Sequence, residues 1–140
     1  MSKSNRGVAL VAGASSGIGE TTAKQRHEPR TMFEERPMSN LQWKNVPTRT
    51  IEVGGVPFAY RELGPNSGVP VIFLHHLMAV LDDWDPRVID GIAAQRRVIA
   101  FDNRGVGASG GSVPHTVEAM GRDAIAFIRA LGLKKVDLLG

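Results

Sequence analysis

From residue 48 onward, short apolar runs alternate with segments of helical periodicity. The apolar runs occupy 69–74, 97–101 and 136–139. Because these runs are continuously apolar, they are typical of strands that are buried on both faces of a parallel sheet. Asp85 and Pro86 favour the start of a helix that continues to about residue 94. The order strand, helix, strand, helix, strand predicts an α/β fold with right-handed crossovers.

The second helix is predicted over 116–131 and has a clear apolar stripe. Gly132 is a typical helix end, and the stripe should pack on the sheet. Its members are Val117, Met120, Ala124, Phe127, Ile128 and Leu131.

A β-hairpin is predicted ahead of these elements. Two strand-like runs, 50–53 and 56–63, flank Gly54 and Gly55, a pair that is typical of a two-residue hairpin turn. Pro57 lacks a backbone N–H, so we expect its strand to lie at an edge of the sheet.

The first 25 residues have a separate pattern, a strand over 8–12, a glycine-rich turn and a helix over 18–25. The turn, with Gly13, Gly17 and Gly19, resembles the G-x-x-x-G-x-G fingerprint of short-chain dehydrogenases/reductases. This resemblance implies that the three glycines are candidates for binding a dinucleotide cofactor. The family's Y-x-x-x-K pair is missing, since Tyr60 is the only tyrosine and is followed four positions on by Gly64. We assign no cofactor.

Residues 26–47 contain three prolines and no sustained periodicity, which indicates a linker. The predicted organisation is therefore a dinucleotide-fingerprint-like segment at 1–25, a linker at 26–47 and an α/β domain at 48–140.

Composition narrows the functional classes. No apolar run approaches the ~20 residues of a membrane span, and the absence of cysteine suits a cytoplasmic protein. The four histidines, at 27, 75, 76 and 115, have no metal-ligand spacing, so no metal site is predicted. The net charge of +3 comes from scattered lysines and arginines before residue 50, a pattern that argues against a nucleic-acid partner.

Residues 101–109 provide the main family resemblance. They resemble the D-x-R-G-x-G-x-S turn after the fourth strand of α/β-hydrolases, including esterase, lactonase and perhydrolase-like members. The matching positions are Asp102, Arg104, Gly105, Gly107 and Ser109. We expect scaffold roles for them: the glycines allow a tight reversal, and Asp102 and Arg104 tie the loop by hydrogen bonds and a charge pair.

Residues 75–77 resemble the H-G-x loop that follows the third strand in this family. By this resemblance, the backbone N–H of Leu77 would contribute to an oxyanion hole, with His76 at the position where the family usually has glycine. For His75 and His76 we expect packing and loop ordering rather than general-base catalysis.

Residues 133–140 resemble the strand that leads into the nucleophile elbow, G-x-S-x-G, with Gly140 as its first glycine. By this resemblance the nucleophile would lie two residues beyond Gly140, and we expect the 140 residues alone to be an inactive, truncated half of the domain. Ser15 and Ser109 also match the bare G-x-S-x-G pattern, but we predict that neither is a nucleophile.

The resemblance implies hydrolysis of an ester, lactone or related acyl bond of a small molecule, or perhydrolysis, in an intact relative. Two alternatives stay open: an NAD(P)-dependent dehydrogenase-like fragment, and a non-catalytic fusion or interaction fragment. Since the final strand is central in the intact fold, we also expect self-association through an exposed sheet edge and poor solubility.

Overall fold

The computed structural model describes residues 41–140. The predicted strand, turn and helix of 1–25, with Gly13, Gly17 and Gly19, lie outside the described residues, as does the predicted linker up to residue 40. The alternative that this segment binds a dinucleotide therefore stays open, and an NADH fluorescence titration would test it.

The described part contains five strands, two α-helices and two short 3-10 helices. The strands are β1 (Arg49–Val53), β2 (Val56–Leu63), β3 (Val71–Phe73), β4 (Val98–Phe101) and β5 (Asp137–Leu139). The α-helices are α1 (Pro86–Ala93) and α2 (Val117–Ala130), and the 3-10 helices are Trp43–Asn45 and Leu81–Asp83.

The five strands form one mixed sheet in the order β1-β2-β4-β3-β5. β2 pairs antiparallel with β1 and β4, whereas β3 pairs parallel with β4 and β5. Each parallel strand is connected to the next through a helix. The predicted α/β architecture, a partial α/β-hydrolase fold, is confirmed.

The hairpin is confirmed as well. Gly54 and Gly55 have φ angles of 59° and 84°, the left-handed conformation that a type I′ turn requires at both central positions. The prediction of an edge position for Pro57 is wrong, because β2 lies between β1 and β4. β4 pairs only with the stretch from Tyr60 to Leu63, so the missing N–H of Pro57 removes no bond to β4.

Successive residues of the central strands enter two separate cores, one on each face of the sheet. On β4, Val98 and Ala100 belong to the core on the α1 side, whereas Ile99 and Phe101 belong to the core on the α2 side. All four residues are fully or almost fully buried. This double burial explains why these strands read as continuous apolar runs in the sequence.

Both helices begin at side-chain caps. The Asp85 carboxylate accepts a hydrogen bond of 2.8 Å from the Arg87 N–H, and the Thr116 hydroxyl accepts one of 3.1 Å from the Ala119 N–H. Gly132, with φ of 77°, follows α2.

The apolar stripe of α2 packs on the sheet along its C-terminal half. Phe127 is fully buried, and its ring stacks on Phe101 at a centroid distance of 4.3 Å. Val117 is 81% exposed, so its place in the predicted stripe is wrong. The helix residues that pack against this core begin at Ala124, and the first turn lies beyond the packed surface.

The last residues of the predicted linker belong to the domain. Trp43 and Val46 are buried in the α1-side core. The Trp43 backbone N–H donates to Asp90 on α1 at 2.8 Å, and its indole N–H donates to the Leu81 carbonyl at 3.1 Å. The packed domain thus begins before residue 48.

None of the helices within 41–140 is long and apolar enough to cross a membrane.

Candidate active site

The loops that follow β3 and β4 lie side by side, because neighbouring parallel strands end at the same edge of the sheet. In open α/β sheets this carboxyl edge is where ligands bind. Residues 74–80 form the first loop, which contains the predicted oxyanion residues and which we call, after that prediction, the oxyanion loop. Residues 102–110 form the second, which we call the glycine loop.

Asp102 connects the two loops. Its carboxyl group is buried, and its two oxygens accept hydrogen bonds from the Leu81 N–H at 2.8 Å and from the Ala108 N–H at 2.9 Å. Gly107 has φ of 55°, and a Cβ placed there would collide with the Asp102 carboxylate. Asp102 therefore holds backbone amides, which is a structural role.

Ser109 uses its hydroxyl in two hydrogen bonds inside the scaffold. The hydroxyl donates to the Asp102 carbonyl at 2.8 Å and accepts from the Ala59 N–H on β2 at 2.9 Å. The residue is buried, and within the described residues the partners of its hydroxyl are both backbone groups. This geometry joins the glycine loop to β2 and does not present a nucleophile.

Arg104 pairs with α2 rather than with Asp102. Its guanidinium makes a two-pronged contact with the Asp123 carboxylate at 2.9 and 2.5 Å, and the Asp123 hydrogen bond raises the pKa of Arg104. The expected charge pair is therefore formed by Arg104 with Asp123, and Asp102 instead accepts hydrogen bonds from backbone amides. Within the loop, the Gly105 N–H donates to the Gly110 carbonyl at 2.8 Å.

The predicted oxyanion residues, His76 and Leu77, lie at the exposed tip of the oxyanion loop. Within the described chain, no acceptor contacts the Leu77 N–H. The carbonyls beside it are occupied: the Asn103 carboxamide donates to the His76 carbonyl at 3.2 Å and to the Leu77 carbonyl at 3.3 Å. The tip therefore offers a backbone donor while its neighbouring acceptors are satisfied.

His75 lies one residue before this tip and is only partly exposed. Its Nε2 accepts a hydrogen bond of 3.1 Å from the Trp84 indole N–H. Burial lowers the pKa of His75, and the charges of Asp102 and Asp83 oppose that shift only in part. The ring is held in its neutral form, with Nε2 as the acceptor.

A cavity of about 280 Å³ opens beside the oxyanion loop. Gly140 lines it from the end of β5, close to the Leu74 side chain, and the Leu74 N–H donates to the Leu139 carbonyl at 2.8 Å. The lining residues are Leu74, His75, His76, Ala79, Asp83, Trp84 and Gly140. The structure thus brings the predicted oxyanion loop and the predicted start of the nucleophile elbow to one cavity.

One histidine of the described part lies away from the cavity. His115 is exposed just before α2 and does not line the cavity. Over 41–140, no group of three or more histidine, aspartate or glutamate side chains is placed to hold a metal ion.

Two residues of this site were not assigned from the sequence. Asn103 lies inside the D-x-R-G segment at a variable position, and Trp84 lies in the acidic segment after the oxyanion loop. Neither an asparagine nor a tryptophan alone forms a sequence motif that indicates a catalytic role. Their contacts depend on tertiary structure that sequence spacing does not report.

Comparison with protein families agrees with this geometry. Residues 69–140 match the family model described as alpha/beta hydrolase fold, so the chain belongs to the α/β-hydrolase family.

Named relatives and a solved structure support the same family. The chain is 36% identical over 87 residues to a non-heme chloroperoxidase of Streptomyces lividans, covering 61% of this chain and 32% of that protein. It is 34% identical over 82 residues to a bifunctional esterase/perhydrolase of Acinetobacter calcoaceticus, covering 57% and 29%. An alpha/beta hydrolase fold protein from Chitinophaga pinensis superposes with a TM-score of 0.69 at 45% identity, covering 71% and 36%. The chain spans about a third of the length of the curated relatives it matches.

Proposed function

We propose that this chain carries the oxyanion-loop half of a serine-dependent acyl-transfer site. The substrates would be small esters, lactones or related acyl compounds, with hydrolysis or perhydrolysis as the reaction. The observation that carries the proposal is the Leu77 N–H, which has no acceptor within the described chain and lies at the tip of the loop that lines the cavity with Gly140.

The chemistry follows from the position of that donor. When a nucleophile attacks an acyl carbon, the carbonyl oxygen gains negative charge, and a fixed N–H at hydrogen-bond distance stabilises it. Because the donor is already oriented, little reorganisation is needed during the reaction. The name of one relative, a bifunctional esterase/perhydrolase, supports hydrolysis and perhydrolysis of this kind.

The same reasoning predicts that the polypeptide of these 140 residues has no acyl turnover by itself. In the described part, Ser109 is committed to the scaffold and no other serine follows a strand directly into a helix. The test is incubation of the purified 140-residue polypeptide with p-nitrophenyl acetate and with a fluorophosphonate probe. Neither turnover nor labelling is expected, and labelling of Ser15 or Ser109 would overturn this prediction.

A chimera tests the positive part of the proposal. Residues 41–140 would replace the corresponding segment of the Acinetobacter calcoaceticus esterase/perhydrolase, whose remaining sequence is kept unchanged. We expect the chimera to hydrolyse p-nitrophenyl acetate. A well-folded chimera that is labelled by fluorophosphonate but has no turnover would show that this oxyanion loop is not functional.

A second candidate, a non-catalytic interaction role, is favoured by one observation. Within the described chain β5 pairs with β3 alone, and Leu138 on β5 is 47% exposed. Such an edge can pair with another strand. Sedimentation velocity of the 140-residue polypeptide would show association that Leu138→Lys reduces, and a monomer at all concentrations would exclude this candidate.

A further inference from the structure

Asn103 is a buried polar residue that the acyl-transfer chemistry does not use directly. It follows Asp102 at the carboxyl end of β4 and is 8% exposed. Its carboxamide nitrogen donates to two consecutive carbonyls of the neighbouring oxyanion loop, those of His76 at 3.2 Å and Leu77 at 3.3 Å. Because this buried carboxamide donates both hydrogen bonds to adjacent residues, it restrains the backbone conformation of that short segment.

The first of these contacts fixes the direction of the Leu77 N–H. The His76 carbonyl and the Leu77 N–H belong to one planar peptide group, and in a trans peptide they point in opposite directions. Holding the carbonyl oxygen against Asn103 therefore turns the N–H away from β4. The second contact fixes the next peptide group, so the Leu77 residue is held on both sides.

No other contact in the described chain connects these two carbonyls to the sheet. The Ala79 N–H also donates to the His76 carbonyl, at 3.2 Å, but Ala79 belongs to the oxyanion loop itself and not to the sheet. Asp102 holds the far end of the segment through the Leu81 N–H at 2.8 Å. Asn103 thus anchors the tip of the oxyanion loop, and Asp102 anchors its C-terminal end.

Because position 76 is a histidine with an exposed side chain, the tip of the oxyanion loop depends more on a contact from outside the loop. His76 has an exposed side chain, so the local structure around it gives the tip little packing support. A donor that fluctuates must be reoriented before each reaction, and preorganisation is the main contribution of an oxyanion hole.

We propose that Asn103 is a positioning residue that sets the orientation of the Leu77 N–H for the oxyanion. This inference rests on the proposed function, because it gives that N–H its role. Asn103 does not contact the substrate in this account and acts only through the His76 and Leu77 carbonyls.

The test is ¹⁵N relaxation on the 140-residue protein, which needs no activity. In the native chain, the Leu77 N–H should have an order parameter of about 0.85, as in rigid backbone, and in Asn103→Asp it should fall below about 0.6. Aspartate keeps the shape of asparagine but has no N–H to donate to the two carbonyls. Ser109→Ala is the control. It removes buried hydrogen bonds of the glycine loop but none that involves His76 or Leu77.

An unchanged Leu77 order parameter in a folded Asn103→Asp protein would overturn the inference, as would an equal loss of order in Ser109→Ala. If Asn103→Asp does not fold, the unaltered chain still decides the matter. Nuclear Overhauser contacts from the Asn103 carboxamide protons to the 76–77 segment are expected, and their absence would overturn the inference.

The esterase chimera separates this inference from the proposed function. With an active chimera, Asn103→Asp should lower kcat for p-nitrophenyl acetate while KM stays within about twofold, because the oxyanion contact is made in the transition state. Equal kcat values for the native and Asn103→Asp chimeras would overturn the positioning role. A folded chimera without activity, together with the expected loss of order at Leu77, would contradict the proposed function alone.

Discussion

The Trp84 indole N–H donates a 3.1 Å hydrogen bond to Nε2 of His75, and this contact requires a neutral imidazole. Trp84 is itself held by an edge-on contact with Phe73, with ring centroids 4.7 Å apart. The pair therefore connects the base of the oxyanion loop to the α1-side core.

This contact predicts a pH dependence of stability. Burial lowers the pKa of His75 from its ordinary value of 6.5. Just below pH 6.5, His75 is therefore protonated more readily in the unfolded chain than in the folded chain, and this difference favours unfolding. The His75 contribution is complete above pH 6.5 and is lost as pH falls through the folded pKa. Urea unfolding at several pH values between 7.5 and 5 should show a steeper loss of stability in the native chain than in His75→Gln.

Glutamine is a suitable control because its side-chain oxygen can still accept from the Trp84 indole but does not titrate. Equal slopes of unfolding free energy against pH in the two proteins would show that His75 does not carry a lowered pKa.

Gly107 should tolerate no side chain. A Cβ at this position would collide with the Asp102 carboxylate, and φ of 55° is unfavourable for L-residues. We expect Gly107→Ala to destabilise the fold by about 2–4 kcal/mol, measured by urea denaturation.

The matched control is Gly121, an exposed helical glycine with open space around its Cβ position. Gly121→Ala should be stabilising by about 0.5–1 kcal/mol, since alanine favours the helix. A Gly107→Ala protein as stable as the native chain would mean that the Asp102 contacts do not define the glycine loop.

Ser109 should behave as a structural residue. Ser109→Ala removes the acceptor of the buried Ala59 N–H and the donor to the Asp102 carbonyl. The expected loss is about 1–3 kcal/mol, because a buried backbone donor is left without a partner. In the esterase chimera the variant should keep its fluorophosphonate labelling, whereas loss of labelling with the fold intact would point to a nucleophilic Ser109.

Trp43 should be essential to the α1-side core. It is 1% exposed, and it connects the start of the described chain to α1 and to the Leu81 carbonyl. Trp43→Ala should cost about 3–5 kcal/mol in chemical denaturation. Leu41→Ala, at a residue that is 36% exposed, should cost less than about 0.5 kcal/mol. If Trp43→Ala lowers the stability only slightly, the domain begins after Trp43, as the sequence pattern predicted with its boundary at residue 48.

Most of the fold follows from local sequence patterns. The buried strands, the Gly54-Gly55 turn and the Asp85 and Thr116 caps each have a signal within a few residues. Trp43 could not be assigned to the core in this way, because a single aromatic residue among polar neighbours has no periodicity. Its burial depends on α1, far along the chain.

The candidate site was predictable only in part. The family resemblance indicated the oxyanion loop at 75–77 and the glycine loop. The sequence did not indicate that Arg104 pairs with Asp123 or that Asn103 holds the loop tip. Both contacts join residues that become neighbours only when the strands and helices pack, so no spacing rule predicts them.

The most direct test of the central claim is the kcat of the esterase chimera when the Leu77 amide is replaced by a backbone ester, which removes the N–H and keeps the side chain. Loss of one oxyanion donor should lower kcat for p-nitrophenyl acetate by about 10²–10³-fold, whereas the same replacement at the neighbouring Met78 should leave kcat nearly unchanged. An unchanged kcat with the ester at position 77 would contradict the assignment of this loop as part of an oxyanion hole.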